Sequence, residues 1–234
     1  MKTLVSVIIS TKNEERFIEP SLKSIKNQTY PNIEIIVSDA CSNDNTVKIA
    51  RKYADRVIVK STNIPEGLNL GSLFSKGEIL IFGKADTLFS PYWIENSVEI
   101  LQSDDNIVAV YGSIKSLEKD FKTKILEKFW NILIFVSSML NFHQPTGENI
   151  LAVKRKIFFK IGKYDKSLVA CEDKDIVTRL RKKGKVRYIP KNVSYTSFRR
   201  FKKTGYIKLS TWWIINYIYF TISKKNILKS YSRE

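Results

Sequence analysis

The feature that most constrains the fold is an apolar run at 79–82 that ends at Gly83 and is followed directly by Lys84 and Asp86. Four consecutive aliphatic or aromatic residues are typical of a strand that is buried on both faces of a sheet. In open α/β sheets, ligands bind beyond the carboxyl ends of such strands. A carboxylate held there beside an ammonium group can bind a divalent cation, a diphosphate or both. A strand followed by a solvated turn is the alternative for this stretch taken alone.

The chain before this run alternates between strand and helix patterns. Strands are predicted at 4–9, 33–37 and 56–59, and helices at 18–25, 46–53 and 67–75. Strands that alternate with helices at this spacing form βαβ units, whose strands are parallel. The sequence therefore predicts an α/β fold built on a mostly parallel sheet flanked by helices.

Beyond residue 90 the alternation is weaker. Ser90 is the predicted N-cap of a helix that begins at Pro91, and Pro190 is predicted to close the last strand. Further helices are predicted at 118–142, 155–161 and 172–183, and further strands at 107–111, 149–153 and 186–189. We find no repeat, low-complexity segment or linker. This favours one domain over residues 1–200, followed by a C-terminal apolar and aromatic helical tail over 201–234.

The tail contains a stretch rich in Trp and Tyr at 206–222, which is flanked by lysines such as Lys203 and Lys224. It is interrupted by Lys208 and is short for a spanning helix, which needs roughly 20 predominantly apolar residues. Aromatic residues with basic flanks are typical of the membrane interface. A C-terminal helix packed on the domain is the alternative. We expect peripheral contact with an anionic membrane.

The charge of the chain restricts its partners. With 40 Lys and Arg residues against 23 Asp and Glu residues, the net charge is +17. Such a balance favours a polyanionic partner: nucleic acid, an anionic membrane or a phosphorylated substrate. The basic residues are dispersed and form no zinc-finger, basic-zipper or single-strand-binding signature, so we expect no nucleic acid partner.

The two cysteines bear on the cellular compartment. Cys41 and Cys171 are too few and too far apart to indicate a disulfide framework or a zinc site. No basic region followed by an apolar core precedes the first strand, so no secretory signal is expected. These features favour a cytoplasmic setting, peripheral on the inner face of the membrane.

Polar clusters follow three of the predicted strands at their carboxyl ends. They contain Thr11, Asn13 and Glu14 after the first strand, Asp39 after the second, and Lys84 and Asp86 after the run at 79–82. Because parallel strands place their carboxyl ends at one edge of a sheet, these side chains should converge. Amide and carboxylate groups beside a diphosphate site indicate a nucleotide pocket. The sequence lacks the glycine fingerprints of dinucleotide-binding and P-loop proteins, which argues against redox and NTPase functions.

Several short segments occur in an order that is more specific than any one of them. They are VSVIISTKNE at 5–14, SDACSNDNT at 38–46, NLG at 69–71, GEILIF at 77–82, KADT at 84–87, GEN at 147–149, GKYD at 162–165 and EDKD at 172–175. Together they make the chain resemble the inverting family 2 glycosyltransferases, which have a GT-A fold. The resemblance covers residues 4–200.

The resemblance implies transfer of a sugar from a nucleoside-diphosphate sugar, with inversion at the anomeric carbon. Asp173 matches the catalytic base, which takes the proton of the acceptor hydroxyl. Asp86 matches the second Asp of the Asp-x-Asp motif, which binds the bridging metal. The other residues implied to bind the nucleotide sugar are Thr11, Asn13, Glu14, Asp39, Asn69, Lys84, Asp86, Glu172, Arg199 and Arg200. Asp39 would bind the base, and Asn69 would lie near the ribose and the diphosphate.

A structural role is the alternative for some of these residues. Glu172 and Asp173 begin a predicted helix, where the helix dipole favours carboxylates. Asp44 is predicted to cap a helix rather than to contact a ligand. Arg199 and Arg200 could belong to a solvated basic face.

Two positions depart from the family pattern. Lys84 replaces the first Asp of the Asp-x-Asp motif, and Leu68 stands where many relatives have Arg. Lys84 removes a carboxylate and supplies a cation to the phosphates, so the implied divalent cation, Mn²⁺ or Mg²⁺, is a hypothesis.

Two functions are in competition. One is an inverting glycosyltransferase that acts at the membrane surface on a lipid-linked or glycan acceptor; the other is a non-catalytic module that binds a nucleotide sugar or a glycan. Retention of Asp86 and Asp173 favours the enzyme.

Overall fold

The computed structural model describes residues 2–139, 150–168 and 170–223. Its first part alternates strands and helices, as predicted. The elements are β1 (Val5–Thr11), α1 (Ile18–Lys26), β2 (Ile33–Asp39), α2 (Thr46–Ala50), β3 (Arg56–Val59), α3 (Ile64–Leu73) and β4 (Ile79–Lys84). Predictions for 140–149, including the GEN segment, and for 224–234 lie outside the described residues.

The second part has longer elements and one strand that was not predicted. The elements are β5 (Thr87–Phe89), α4 (Trp93–Ser103), β6 (Ile107–Ser116), α5 (Phe121–Met139), β7 (Leu151–Lys154), α6 (Arg155–Lys160), α7 (Glu172–Arg181), β8 (Lys185–Thr196), α8 (Arg199–Thr204) and α9 (Tyr206–Ser223). The unpredicted strand is β5, which has three residues and is too short to give a periodic signal.

Within the described ranges, eight strands form one sheet in the order β3-β2-β1-β4-β7-β6-β8-β5. β1 pairs in parallel with β2 and β4, β2 with β3, and β6 with β8. β7 runs antiparallel between β4 and β6, and β5 runs antiparallel to β8. The predicted α/β fold with a mostly parallel sheet flanked by helices is confirmed.

The register of the central strands sets the position of their loops. Thr11 of β1 pairs with Asp39 of β2, and Ser10 pairs with Lys84 of β4. The three strands therefore end at the same level and at the same edge of the sheet. This confirms the predicted convergence of their loops.

The start of α4 differs from the prediction. Ser90 is not the N-cap: that residue is Tyr92, whose side chain makes no capping hydrogen bond. The Ser90 hydroxyl accepts a hydrogen bond from the Val193 N–H instead, at 3.2 Å. Ser90 therefore ties the start of α4 to β8 rather than capping the helix.

The prediction that the last strand ends at Pro190 is also wrong. The strand continues to Thr196 across a bulge, where the pairing partner moves from Ile189 to Val193. A bulge interrupts the ladder of hydrogen bonds between two strands, so a proline, which has no N–H to donate, is tolerated there. Gly112 lies opposite, where an added Cβ would be 1.8 Å from the Asn192 carbonyl oxygen, so the close approach of the two backbones requires glycine.

Apolar side chains form three clusters. One covers the sheet face under α1 and α4, and another covers the opposite face under α3, α6 and α7. The third lies between β6 and the helices α5, α8 and α9 and includes Trp130, Phe198, Phe201 and Leu209. The C-terminal helices therefore pack on the sheet domain through their inner sides.

The outer sides of α5 and α9 remain apolar. The two helices are in contact, with the rings of Trp130 and Trp213 6.0 Å apart. Their exposed large apolar residues, which we call the apolar face, are Phe121, Ile125, Phe129, Ile132, Phe135, Val136 and Met139 of α5, and Ile207, Ile214, Ile215, Ile218, Tyr219 and Ile222 of α9. Over the part of the chain that the structure describes, no helix has the length and apolarity needed to span a membrane.

Candidate active site

The loops that follow β1 and β2 bind each other. The Asn13 N–H donates to the Ser42 hydroxyl at 2.8 Å, and the Asn13 side-chain oxygen accepts from the Asn43 N–H at 2.9 Å. Asn13 and Cys41 both have left-handed backbones, with φ of 54° and 57°. Asparagine adopts this conformation more readily than most residues, so the sequence suits the sharp turn. The result is one fixed surface made of two loops.

Asp44 extends this connection to α2. Its carboxylate accepts from the Thr46 N–H at 2.9 Å and from the Glu15 N–H at 3.1 Å, while the Glu14 N–H donates to the Thr46 hydroxyl at 2.7 Å. Burial alone would raise the pKa of Asp44, but the hydrogen bonds from Thr46 and Glu15 outweigh it and lower the pKa. Asp44 holds the start of the helix, as predicted, although the N-cap residue is Asn45.

Asp39 is fully buried at the end of β2. Its two carboxylate oxygens accept from the Ser42 N–H at 2.8 Å and from the Ser42 hydroxyl at 2.5 Å. Neighbouring Thr11 is also buried, and its hydroxyl has no hydrogen-bond partner among the described residues. Asp39 thus shapes the loop of Ser42, whereas the Thr11 hydroxyl is buried at the sheet edge without a partner among the described residues.

Arg199, at the start of α8, joins the loops of β1 and β4. Its guanidinium forms ion pairs with Glu14 and, at 3.4 Å, with Asp86. The same group lies 4.2 Å from the ring centre of Phe17, within the range of a cation–π contact. The structure thereby brings together three of the residues predicted from the sequence. Arg200 is the next residue of α8 and is partly exposed.

The segment between β4 and β5 is anchored by α1. The Ser21 hydroxyl donates to the carbonyl oxygens of Lys84, at 3.3 Å, and Thr87, at 2.9 Å. On the other side, the Ser197 N–H donates to the Asp86 carbonyl at 3.2 Å. The side chain of Asp86 is 18% exposed, so it is accessible but largely enclosed.

The acidic groups of this edge bear on metal binding. Across the described residues, no three His, Cys, Asp or Glu side chains are grouped so as to hold a metal ion. Asp86 and Glu14 are, however, close enough to share Arg199. Mg²⁺ is usually held by one or two carboxylates together with substrate phosphates. This donor set therefore fits a cation that binds together with a diphosphate.

Asn69 lies on α3 and connects to the segment before α7. Its side-chain N–H donates to the Tyr164 carbonyl at 2.8 Å, and its side-chain oxygen accepts from the Tyr164 N–H at 3.0 Å. The structure therefore places the Asn69 amide in a two-way clamp on the Tyr164 backbone. Sequence reasoning did not identify this role.

The segment EDKD at 172–175 forms the first turn of α7, with Cys171 as its N-cap residue. Burial raises the pKa of Tyr164 well above its ordinary value, and the negative charges of Asp173 and Glu172 raise it further. Arg179 stabilises the helix through its ion pair with Asp175 at 2.5 Å.

Contacts from α9 hold the same turn. Lys174 is only 2% exposed, and its ammonium donates to the Tyr217 carbonyl at 2.9 Å. Sequence reasoning missed Lys174, although a single basic residue within an acidic motif is a signal that could have drawn attention to it. Its partners could not have been found in this way, because they lie more than 40 residues further along the chain.

A comparison with models of protein families identifies the family of this chain. Residues 6–164 match the model of glycosyl transferase family 2. The chain belongs to this family. A glycosyltransferase of Haemophilus influenzae is 28% identical over 182 residues, which are 76% of this chain and 62% of that protein. A glycosyltransferase of Rickettsia typhi is 30% identical over 181 residues, or 74% of this chain and 57% of that protein. The family 2 chain thus spans about three fifths of the length of these relatives.

Solved structures of glycosyltransferases have the same fold. The mannosyltransferase PcManGT from Pyrobaculum calidifontis, solved in complex with GDP-Man and Mn²⁺, superposes with a TM-score of 0.68 at 24% identity, covering 84% of this chain and 57% of that one. Staphylococcus aureus TarS 1–349 in complex with UDP-GlcNAc gives a TM-score of 0.65 at 16% identity, covering 83% of this chain and 58% of that one. These similarities confirm the predicted GT-A fold.

Proposed function

We propose that this family 2 chain transfers a sugar from a nucleoside-diphosphate sugar to an acceptor hydroxyl, with inversion. The observation that carries the proposal is the meeting of Glu14, Asp86 and Arg199 at the carboxyl edge of β1 and β4. Acidic and basic groups that meet where parallel strands end are suited to a diphosphate and its counter-ion. Two structural neighbours, which were solved in complex with GDP-Man and with UDP-GlcNAc, support a donor of this class.

The donor would lie across the loops of β1, β2 and β4. The Thr11 hydroxyl, which is buried and has no partner among the described residues, would gain one from a nucleotide that displaces its cover. Lys84, Arg199 and Arg200 would neutralise the diphosphate. The residues proposed to bind the nucleotide part are Thr11, Asn13, Glu14, Asp39 and Asn69. The polar groups of Asp39 and Asn69 are hydrogen-bonded within the chain. These side chains would either exchange a partner for the nucleotide or contribute to binding by shaping the loops that contact it.

A divalent cation, Mn²⁺ or Mg²⁺, is the proposed cofactor. Asp86 would hold it together with the diphosphate oxygens of the donor, since one carboxylate plus phosphates is a usual ligand set for Mg²⁺. Such a cation stabilises the negative charge of the leaving nucleoside diphosphate. Arg199 pairs with the same carboxylate, so it would have to share Asp86 with the cation or move away.

The chemical step would centre on Asp173. Its carboxylate would take the proton of the acceptor hydroxyl while the acceptor oxygen forms a bond to the anomeric carbon. The bond from that carbon to the diphosphate oxygen breaks on the opposite face, so the sugar configuration inverts. Glu172 would contact the donor sugar or the acceptor beside it. The position of both carboxylates in the first turn of α7 supports this arrangement.

The acceptor is proposed to be lipid-linked or a glycan, and to be reached at the inner surface of an anionic membrane. The apolar face of α5 and α9 supports this, because Ile207 is 83% exposed and Phe121 is 76% exposed. Exposed apolar helix sides bury themselves in the membrane interface, and each basic residue near an anionic surface adds about 1 kcal/mol. The net charge of +17 acts in the same direction.

A panel of nucleotide sugars and nucleotides, with and without Mn²⁺, tests the donor proposal. Binding stabilises the native state, so the correct nucleotide should raise Tm. Release of GDP or UDP from that nucleotide sugar should then be measurable. Failure of every nucleotide and nucleotide sugar to change Tm would contradict the proposal. Binding without any turnover, across a range of acceptors, would favour the non-catalytic module.

Vesicle binding tests the membrane proposal separately. Ile207→Glu combined with Ile218→Glu should reduce sedimentation with vesicles of phosphatidylglycerol and phosphatidylcholine by roughly tenfold or more, since burying each isoleucine is worth about 1.5–3 kcal/mol. Leu73→Glu is the matched control, because Leu73 is 56% exposed but lies on α3. Equal vesicle binding by the double variant and the control would contradict a role for the apolar face.

A further inference from the structure

The first turn of α7 is held from the side by α9. Lys174 lies within the acidic motif, and its ammonium donates to the Tyr217 carbonyl at 2.9 Å and to the Thr221 hydroxyl. The same ammonium lies 3.4 Å from the centre of the Tyr217 ring and 5.9 Å from that of Phe220. These contacts, with Tyr217, Phe220 and Thr221, all come from α9.

Burying this ammonium has an energetic consequence. A charged amine removed from water loses several kcal/mol of hydration unless hydrogen bonds and charge interactions replace the water. Lys174 is 2% exposed, and the carbonyl, hydroxyl and aromatic groups of α9 supply part of that replacement. The contacts from α9 therefore help to keep this side chain buried. This couples the position of α9 to the position of the turn.

A second contact lies on the other side of the two candidate site residues. Cys171 precedes Glu172 and has a left-handed backbone, with φ of 61°, which a non-glycine residue adopts only when its surroundings impose it. The buried Asn216 of α9 donates to the Cys171 sulfur at 3.2 Å. Burial raises the pKa of the Cys171 thiol to about 12, so the thiol remains neutral and its sulfur accepts this hydrogen bond as a weak acceptor.

We propose that Lys174 and Asn216 are positioning residues for sugar transfer: from α9, they fix the first turn of α7 that presents Glu172 and Asp173. The inference rests on the proposed function, because it assigns Asp173 to the chemical step. Residues 171 and 174 flank the two carboxylates in sequence, and each is bound to α9. The turn therefore has little freedom to rotate while α9 is in place. Helix α9 also carries part of the apolar face, so a displacement of α9 at a membrane would also move Asp173, the proposed base.

Lys174→Met and Asn216→Ala test this inference. Methionine fills much of the lysine volume but lacks the ammonium, and alanine removes the amide that binds Cys171. We expect kcat for release of GDP or UDP from the nucleotide sugar that raises Tm most to fall about 10- to 100-fold, because small misplacements of reacting groups cost rate on this scale. The Kd for GDP or UDP should stay within about twofold, because the loops proposed to bind the nucleotide are not touched.

Asn131→Ala is the matched control. Its amide ties α5 to β6 through the backbone of Ile114, with distances of 3.0 and 2.7 Å, away from α7. It should lower Tm as the Asn216 variant does, yet leave kcat near the wild-type value. Lys174→Arg, which keeps a cation, should recover part of the lost kcat. Unchanged kcat in both α9-contact variants, or an equal loss in the control, would overturn the inference.

Hydrogen exchange separates this inference from the proposed function. Amide exchange of residues 171–175 should become faster in Asn216→Ala and Lys174→Met than in wild type, with no change in β1 or β4. If wild type neither binds nor cleaves any nucleotide sugar, the proposed function fails, while the exchange experiment still decides whether α9 holds the turn. Unaltered exchange at 171–175 in both variants would overturn the positioning role.

Discussion

The two parts of the proposed site are held in place in different ways. In the donor part, which comprises the loops after β1, β2 and β4 with Arg199, neighbouring loops bind each other, as Asn13 binds Ser42 and Glu14 binds Thr46. In the base part, residues 171–175, the turn is held by a helix that comes later in the chain. The loops of β1 and β2 are therefore stabilised by each other, and the base part by a later helix.

This difference predicts which measurements each part controls. A change in the donor part should alter nucleotide affinity, because its side chains form the surface on which the nucleotide would lie. A change in the base part should alter the rate of the chemical step at nearly constant affinity. Variants that affect both quantities together would show that the two parts are not separate.

Asp173→Asn should have the largest effect. The amide cannot accept the proton of the acceptor hydroxyl, and loss of a general base typically lowers the rate by 10²- to 10⁴-fold. The affinity for GDP or UDP, measured by calorimetry, should stay close to that of wild type. Near-normal turnover in this variant would remove Asp173 from the mechanism, and a large loss of nucleotide affinity would break the division into two parts.

Arg199→Met should have the next largest effect, on the donor part. It removes the cation shared by Glu14 and Asp86, leaving two carboxylates close together, and it removes a proposed hydrogen-bond donor to the diphosphate. Hydrogen bonds to charged groups contribute about 1.5–3 kcal/mol, so the Kd for GDP or UDP should rise roughly 10- to 100-fold.

Arg187→Met is the control for this variant, because Arg187 is an exposed arginine of β8 outside the proposed site. It tests whether the loss of one positive charge is enough to weaken binding. Similar Kd values for the two variants would mean that Arg199 contributes only general charge.

The sequence was sufficient to predict that the polar loops after β1, β2 and β4 lie at one edge of the sheet. Parallel strands share one edge, so motifs that follow β1, β2 and β4 had to meet there, whatever the details of packing. The bound partners of these residues were not predictable. Arg199 and Glu14 are 185 residues apart, and only the fold brings them into an ion pair. The same limit applies to Asn69 with Tyr164, and to Lys174 with Tyr217.

Lys84→Asp should have a smaller effect, and it tests how nucleotide binding in the donor part depends on a divalent cation. The substitution restores a second carboxylate beside Asp86, which should make nucleotide binding depend more on Mn²⁺ or Mg²⁺. We expect the ratio of GDP affinities with and without Mn²⁺ to increase roughly 3- to 10-fold, equivalent to about 1 kcal/mol. Equal affinities and activities in the presence of a chelator, for both wild type and the variant, would exclude this role of Lys84.

Glu118→Gln should have the smallest effect, and it tests how α8 is fixed beneath Arg199. Glu118 accepts hydrogen bonds from the Phe198 N–H and the Ser197 hydroxyl, both at 2.8 Å. Burial alone would raise the pKa of Glu118, but the hydrogen bonds from Phe198, Ser116 and Ser197 outweigh it and hold the pKa below 4.5. The carboxylate is therefore more strongly bound in the folded chain than in the unfolded one.

The sign of the pH dependence follows from this lowered pKa. The stabilisation is present above the unfolded pKa of Glu118 and is lost as pH falls through the lower folded value. At pH 6 the glutamine variant should be less stable by about 1 kcal/mol, a Tm decrease of about 2–4 °C for a chain of this size. At pH 3 the difference should shrink, because wild type is then losing the same charge. Glu99→Gln, at an exposed position of α4, should show no such convergence. A Tm difference that stays constant from pH 6 to pH 3 would show that Glu118 holds α8 by packing rather than by charge.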